Sequence, residues 1–537
     1  MKNLWNWIRT KTDKALLTPI KALKLRYVPL LLIYFSYGLS GFSGVALSFW
    51  EKDHLSLSAE QLISIGVWGF VPWTLKMIFG QMVDSVPILG SRRKSYVFLG
   101  AILMIVGTVL LAGMAGQYPW IMNLGSQYSL YLLSSVLMTL GFVIQDVAAD
   151  TMSTEVVETY EIHNSKKIPR SERAIQSELS MVQVLGRLAL SLALFSVAGL
   201  GGWLAEHFSY EFIFWLTLCL PLISCVGALF VKLEKPEHHL KRPLDKKVLF
   251  GGITFAAFSV AMAIYDFGYS QEIVFVVSFA LLSTMLYWVT RELSRPKFKT
   301  LVFTMTALFI YRMLTLSGIG PGLQWWFIDG LGFDPAFFGV LRQIGATIAL
   351  IFLWFFADFL ANRPVRSVLL ILVVLEAVMS LPELGLYYGV HTWLGVSAHT
   401  IAMFDTALSS PLTDISMVPM LAMIAYYAPA HYRGTWFAVG ASLMNLALNG
   451  GQLISKYLNQ IFVVTREVQD SAGNILVPQN YDALGWLMWS KVVMGFVIPF
   501  VVIMFCFRER KLLVQENEII EDISAQPPIP SEKKLDM

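Results

Sequence analysis

Residues Gly69 to Tyr96 read G-F-V-P-W-T-L-K-M-I-F-G-Q-M-V-D-S-V-P-I-L-G-S-R-R-K-S-Y. An apolar run carries one lysine, Lys76, and ends on Asp84. A tight turn follows with Pro87 and Gly90, then Arg92, Arg93 and Lys94, and a second long apolar run begins at once. A soluble protein has little use for that order. In a bilayer it describes a helix that leaves the membrane, turns, and re-enters past a positive cluster held on the cytoplasmic side.

Composition agrees. Hydrophobic residues make up 56% of the 537 residues and charged residues 14%, against roughly 45–50% and 25% in soluble domains. The net charge of +3 is too small to point to nucleic acid. Cys219, Cys225 and Cys506 all lie in apolar runs and read as buried small hydrophobes, not as a disulfide or metal framework. The start of the chain mixes Trp5, Trp7 and Ile8 with Lys2, Arg9, Lys11 and Lys14. That is a short amphipathic segment on the membrane surface and not a cleavable signal.

A membrane-spanning helix needs roughly 17–25 mostly apolar residues. By that measure the expected fold is an all-α polytopic membrane protein with about fourteen spans, near 28–50, 60–83, 95–116, 128–150, 177–202, 211–231, 248–268, 272–291, 300–328, 335–358, 366–389, 395–424, 434–463 and 484–507. With the N-terminus inside, 32 of the 40 lysines and arginines fall on inside segments. Only Lys52 and Arg466 fall on outside loops; Lys76, Arg187, Arg312, Arg342, Lys456 and Lys491 fall within spans. The bias places both termini in the cytoplasm, in an inner or plasma membrane.

The chain also repeats itself. L-L-I-Y-F-S-Y-G-L-S-G-F at 31–42 aligns with L-F-I-Y-R-M-L-T-L-S-G-I at 308–319, an offset of 277. Tyr34 meets Tyr311, and Leu39-Ser40-Gly41 meets Leu316-Ser317-Gly318. Asp84 with its arginines has a weaker echo in Asp358 with Arg363 and Arg366. The expected layout is therefore a surface segment at 1–27, a six-helix bundle at 28–231, basic loops and an inserted helix pair at 232–299, a second six-helix bundle at 300–507, and a disordered tail at 508–537. Parallel six-helix halves are the major facilitator plan. The outside loop 464–483 alternates polar and apolar residues around Gly473-Asn474 and reads as a small hairpin.

The 69–96 stretch closely resembles the loop between helices 2 and 3 of major facilitator transporters, and in particular that of the folate–biopterin transporter family. Q-D-V-A-A-D at 145–150 resembles the family's fourth-span motif. V-P-M-L-A-M-I-A-Y-Y-A-P-A-H-Y-R-G-T-W-F-A-V at 418–439, with Asn445, is similar to its proline, Ala-Pro and Gly-Thr-x-Phe-Ala pattern. Arg433 stands where family members tend to carry an acid, and the helix pair at 248–291 departs from a twelve-span plan. The resemblance implies a secondary transporter of folate or pterin working by alternating access, with proton coupling. Permeases for peptides, nucleosides or other organic anions stand as alternatives in the same class, and a polytopic enzyme or sensor in another.

Charges at depth mark pathways through a membrane protein. Asp146 and Asp150 stand four apart on one helix face, and two close carboxylates can raise one another's pKa, which suits a proton carrier. Asp150, close to the helix end, also suits a structural pair. Arg187 and Arg312 lie about ten and twelve residues into their spans, roughly 15 Å deep. A guanidinium there matches a carboxylate with two prongs, or pairs with Glu178, Glu376, Asp405 or Asp414. Arg312 replaces Phe35 of the first half. Gly318, Gly320, Pro321 and Gly322 break the helix just beyond it, as happens where a helix lines a cavity. Tyr34 and Tyr311 begin the two halves beside this site. Trp325 could stack on a flat ring, although tryptophan near a span end more commonly anchors at the interface. Glu376 and Asp405 near mid-span could hold a proton. Lys76, Asp84, Arg92, Arg93 and Asp358 read as gating groups that break and re-form as the halves rock. No cluster of catalytic residues, phosphate loop or metal spacing occurs. The expected partners are a small-molecule substrate, protons and lipid, with no cofactor, no metal and no nucleic acid.

Overall fold

The structure, a computed structural model, describes residues 21–88, 91, 93–158, 160–163, 166–233, 246–265, 268–291, 294–361, 365–410, 412, 433–469 and 474–508. The surface segment before residue 21, the basic loop 234–245, Arg92 and the tail from 509 onward fall outside them, as do the side chains of Asp84, Asp358 and Arg433.

Helices dominate. The first bundle is built from α1 (Val28–Leu39), α2 (Gly44–His54), α3 (Ala59–Thr74), α4 (Lys76–Ser85), α5 (Lys94–Ala115), α6 (Gln127–Glu155), α7 (Glu172–His207), α8 (Tyr210–Leu216) and α9 (Cys219–Phe230). An inserted pair follows, α10 (Lys246–Tyr265) and α11 (Ser270–Thr290). The second bundle holds α12 (Arg295–Leu314), α13 (Pro321–Asp329), α14 (Pro335–Ala361), α15 (Val365–Met379), α16 (Leu381–Tyr387), α17 over 398–410, α18 (Arg433–Ile461) and α19 (Leu484–Cys506).

Local chemistry sets several of these ends. At the start of α3 the Ser58 hydroxyl accepts from the Gln61 amide, and the Gln61 side chain accepts from the Ser58 amide at 2.9 Å. This reciprocal cap satisfies two donors that a helix start leaves open. Pro72 removes a helical N–H near the other end of α3, and the helix breaks at Leu75 before α4 resumes. Lys76 therefore enters the interior at a kink and not along a straight face.

Nine described helical segments are long and apolar enough to cross a bilayer, among them Leu25–His54, Lys94–Ala115, Val184–His207 and Leu484–Cys506. The sequence reads fourteen. The difference has physical causes. The expected span 300–328 is two helices, α12 and α13, parted at Gly320, whose φ is +107°. A Cβ there would also meet Ile63 at 2.9 Å, so glycine is required twice over. The Asn459 amide covers a carbonyl freed by the break, donating to Ile319 O at 2.8 Å. The expected span 434–463 is the helix α18, with Lys456, Asn449 and Asn459 buried along it. The expected span 395–424 runs out of the described residues after 412.

The bundles meet along two seams. α7 lies along α14, and α3 lies along α18. At the first seam a Cβ on Gly202 would come within 2.4 Å of Gly339 Cα, so the backbones touch and only glycine fits. The inserted pair covers the second seam: α10 rests on α4 of the first bundle, and α11 on α18 of the second and α3 of the first. Gln271 of α11 donates to Ser64 Oγ at 2.6 Å and accepts from Lys456 Nζ at 3.1 Å, so one side chain touches both bundles. Two short hairpins cap opposite ends. β1 (Tyr160–His163) pairs antiparallel with β2 (Lys166–Pro169), and β3 (Val468–Gln469) with β4 (Ile475–Val477). The second is the hairpin expected at 464–483; the first carries no alternation that marks it in the sequence.

Candidate functional site

Two groups of polar and charged side chains, partly or fully shielded from solvent, lie one in each bundle. In the first, the α3–α4 kink delivers Lys76 to α6. Its ammonium donates to Asp146 Oδ2 at 2.5 Å and to Asp150 Oδ2 at 3.1 Å. Tyr34 of α1 donates to the other oxygen of Asp150 at 3.0 Å. The four-residue spacing on α6 is what lets one lysine reach both acids. Beside them lies a cavity of about 10 Å³ lined by Tyr34, Tyr37, Gln145 and Asp146, room for about one water. Arg187 of α7 is exposed and lies within electrostatic reach of Tyr34, Tyr37 and Asp146. The structure thus brings Tyr34 and Arg187, read from the sequence as substrate-binding candidates, close to Asp146 and Asp150, read as proton-coupling candidates. It adds Lys76, which the sequence places with the loop at 84–94.

The second bundle is built differently. Tyr311 and Arg312 sit near the end of α12, just before its break. Arg312 is 4% exposed, and its Nε and Nη1 have no hydrogen-bond partner among the described residues. The Tyr311 hydroxyl is buried without one as well. Asp405 of α17 is 8% exposed with Oδ1 unpartnered. Glu376 of α15 is half-buried and feels Lys491 and Glu383 electrostatically. Asp414, a candidate partner for Arg312, lies outside the described residues.

The remaining candidates lie elsewhere. Trp325 is 2% exposed and belongs to the hydrophobic cluster of the opposite bundle, packed with Phe42, Trp50 and Leu62. Arg466 stacks on it, 5.3 Å from guanidinium carbon to ring centroid. Arg93 donates to Glu155 at 2.6 Å and also to Val83 O, tying the turn after α4 to the end of α6 within one bundle. Glu178 accepts from Lys24, Tyr27 and Arg170, whose Nη1 lies 2.6 Å away. Burial alone would raise the Glu178 carboxyl, but those donors outweigh it and hold it at about 2. Among the described residues no group of His, Cys, Asp and Glu has the arrangement of a metal site.

One bundle thus holds a lysine paired with two acids, and the other a buried arginine whose Nε and Nη1 have no hydrogen-bond partner among the described residues. Known proteins resemble the chain in sequence and in fold. The model of the BT1 family matches residues 37–524. A folate-biopterin transporter of Synechocystis sp. is 24% identical over 459 residues, covering 85% of this chain and 79% of its own. A probable folate-biopterin transporter 4 of Arabidopsis thaliana is 23% identical, covering 81% and 88%. Among solved structures, a peptide transporter POT in complex with alafosfalin superposes with a TM-score of 0.60 at 15% identity, over 90% of this chain and 95% of that one. The nucleoside transporter NupG superposes at 0.54 and 12% identity, over 90% and 100%. At such identities the superpositions establish the fold, which is that of the major facilitators.

Proposed function

The chain belongs to the BT1 family, and on that premise we propose that it moves an anionic folate or pterin across the membrane by alternating access, driven by protons. Curated relatives bear the names of folate and folate-biopterin transporters, and the family and these relatives are transporters and not enzymes. The observation that carries the substrate reading is Arg312, a buried guanidinium with two unpartnered nitrogens. Insertion scales put an arginine at bilayer depth at a cost of about 2.5–3.5 kcal/mol. A carboxylate arriving with the substrate offsets that cost through a bidentate contact. In a state open enough to admit it, the flat ring of a pterin would lie against Tyr311 or Tyr34.

Coupling is assigned to the other bundle. Lys76 with Asp146 and Asp150 is one cation held by two carboxylates. With both acids ionised the set carries one excess negative charge. One added proton makes it neutral, which a low-dielectric interior favours. Glu376 and Asp405 are the second candidates for that role. In this reading the cation-rich end is cytoplasmic, and Asp84, Arg92, Arg93 and Asp358 serve the gate there.

The test is uptake by the purified chain in liposomes, with labelled folates, pterins, nucleosides and peptides and an imposed pH gradient. The expected result is accumulation of folate or pterin that rises with outside acidity and collapses with a protonophore. Accumulation of peptides or nucleosides instead would make the chain another permease on the same fold. Accumulation indifferent to the protonophore would remove the coupling.

A further inference from the structure

One end of the molecule carries side-chain contacts between the bundles around residues 41–60, 199–202, 325–343 and 460–482. There the first bundle supplies Glu51, Lys52, Asp53 and Glu60, and the second supplies Trp325, Asp329, Gln460, Arg466 and Tyr481. Lys52 Nζ pairs with Asp329 Oδ1 at 2.7 Å, and Tyr481 donates to the other oxygen of Asp329 at 2.6 Å. The Gln460 amide donates to Glu60 at 2.6 Å. Trp325 leaves its own bundle and fills the apolar cluster of the other. Arg466 is 5% exposed over that ring, within electrostatic reach of Asp53, Asp329 and Glu51. Phe49 and Phe338 meet edge to face across the same boundary at 5.6 Å.

We propose that Lys52, Asp329, Arg466 and Trp325 form a releasable latch that holds this end of the two bundles together. The proposal rests on the alternating-access reading and adds the residues that must part for the central site to load from this side. The chemistry is that of a contact built to open. The Lys52–Asp329 pair is mostly shielded, with side chains 14% and 19% exposed, and parting such a pair returns the hydration of both ions. Arg466 leaves Nε and Nη2 without hydrogen-bond partners among the described residues while buried, so the closed state does not satisfy it fully. Opening would hydrate those donors and expose the Trp325 ring; one gain sets itself against one loss. Two states so balanced interconvert, and a modest differential affinity of a ligand is enough to shift them. A permanent interface would leave no buried guanidinium here short of partners.

The test reads distance and needs no transport. In the full chain, with Cys219, Cys225 and Cys506 replaced by serine, spin labels go on Ser56→Cys and Asp482→Cys, exposed positions on opposite sides of the boundary. The parent is expected to show a dominant short distance. Asp329→Lys and Lys52→Asp, each alone, should move the population severalfold toward a longer distance, and the two together should restore the short one. Arg466→Gln gives the same direction with no charge reversal, in case the reversed pairs fail to insert. Unchanged distances in all single variants would overturn the latch. So would a double swap that fails to restore while Arg466→Gln leaves the distance unchanged. If the distances shift as expected but no folate or pterin is ever taken up, the latch stands and the substrate reading falls.

Discussion

The two bundles share a repeat and handle buried charge in opposite ways. At matching positions the first has Tyr34-Phe35 and the second Tyr311-Arg312. In the first, the tyrosine donates to Asp150, Asp150 accepts from Lys76, and Lys76 also holds Asp146. In the second, tyrosine and arginine are both buried and short of partners among the described residues. A closed network of this kind changes state by gaining or losing a proton. An unsatisfied cation changes state by gaining a ligand. In the function proposed above, that asymmetry divides the work between the bundles: one would store the driving ion and the other would receive the cargo.

The sharpest way to break this comparison is to remove the unpaired side. Arg312→Ala should weaken binding of a folate by roughly 100-fold or more, in line with the cost of stripping one partner from a buried charge pair. A neutral pterin analogue should lose far less. Arg312→Lys should fall between, because the charge stays while the planar fork is lost. Equal binding of folate by both variants and the parent, measured by ligand displacement, would make the arginine structural.

A smaller effect is expected on the paired side. Asp146→Asn leaves Lys76 with Asp150 alone, a neutral set that has no excess charge for a proton to cancel. Gradient-driven accumulation should drop by about tenfold, roughly what one pKa unit of coupling is worth, while substrate exchange without a gradient persists. Full accumulation by this variant would move the proton site to Glu376 or Asp405.

The smallest effect lies away from both sites and sharpens the contrast between working and structural charge. Glu178 is held at about 2 by Lys24, Tyr27 and Arg170 against its burial. A depressed carboxyl stabilises the fold above its unfolded value, ordinarily near 4.5, and the contribution is lost as pH falls from there through about 2. Glu178→Gln should cost about 1 kcal/mol after solvent screening, constant between pH 5 and 7 and shrinking below about 4.5. Thermal unfolding of the two proteins in detergent, compared across that range, reads the difference directly. Substrate binding should not change.

Membrane class and the two-bundle plan were legible because they follow from features that recur along the chain. The turn at 84–94, the cation bias and the Tyr-to-Leu-Ser-Gly repeat each depend on near neighbours or on totals. Counting residues along a helix places Arg312 well inside its span, and its side chain is buried. What lies across from a residue was not. Lys76 and Asp146 are 70 positions apart, and nothing local in either helix shows that the break at Leu75 turns one toward the other. Trp325, near a span end, read as an interface anchor or a platform for a flat ring, yet its ring fills the opposite bundle. Arg466, counted as a loop cation, is buried. Helical periodicity tells which face is apolar, and it is silent on which partner covers that face.

The inserted pair carries a last consequence. α10 and α11 lie over the α3–α18 seam, and the α7–α14 seam is closed by backbone contact at Gly202 and Gly339. Among the described residues, both seams are thus lined by protein and not by lipid. On the proposed function, a charged molecule bound for Arg312 would approach from water along the axis, and a seam pried open by removing α10 and α11 would let oily compounds dissolved in the bilayer compete with it.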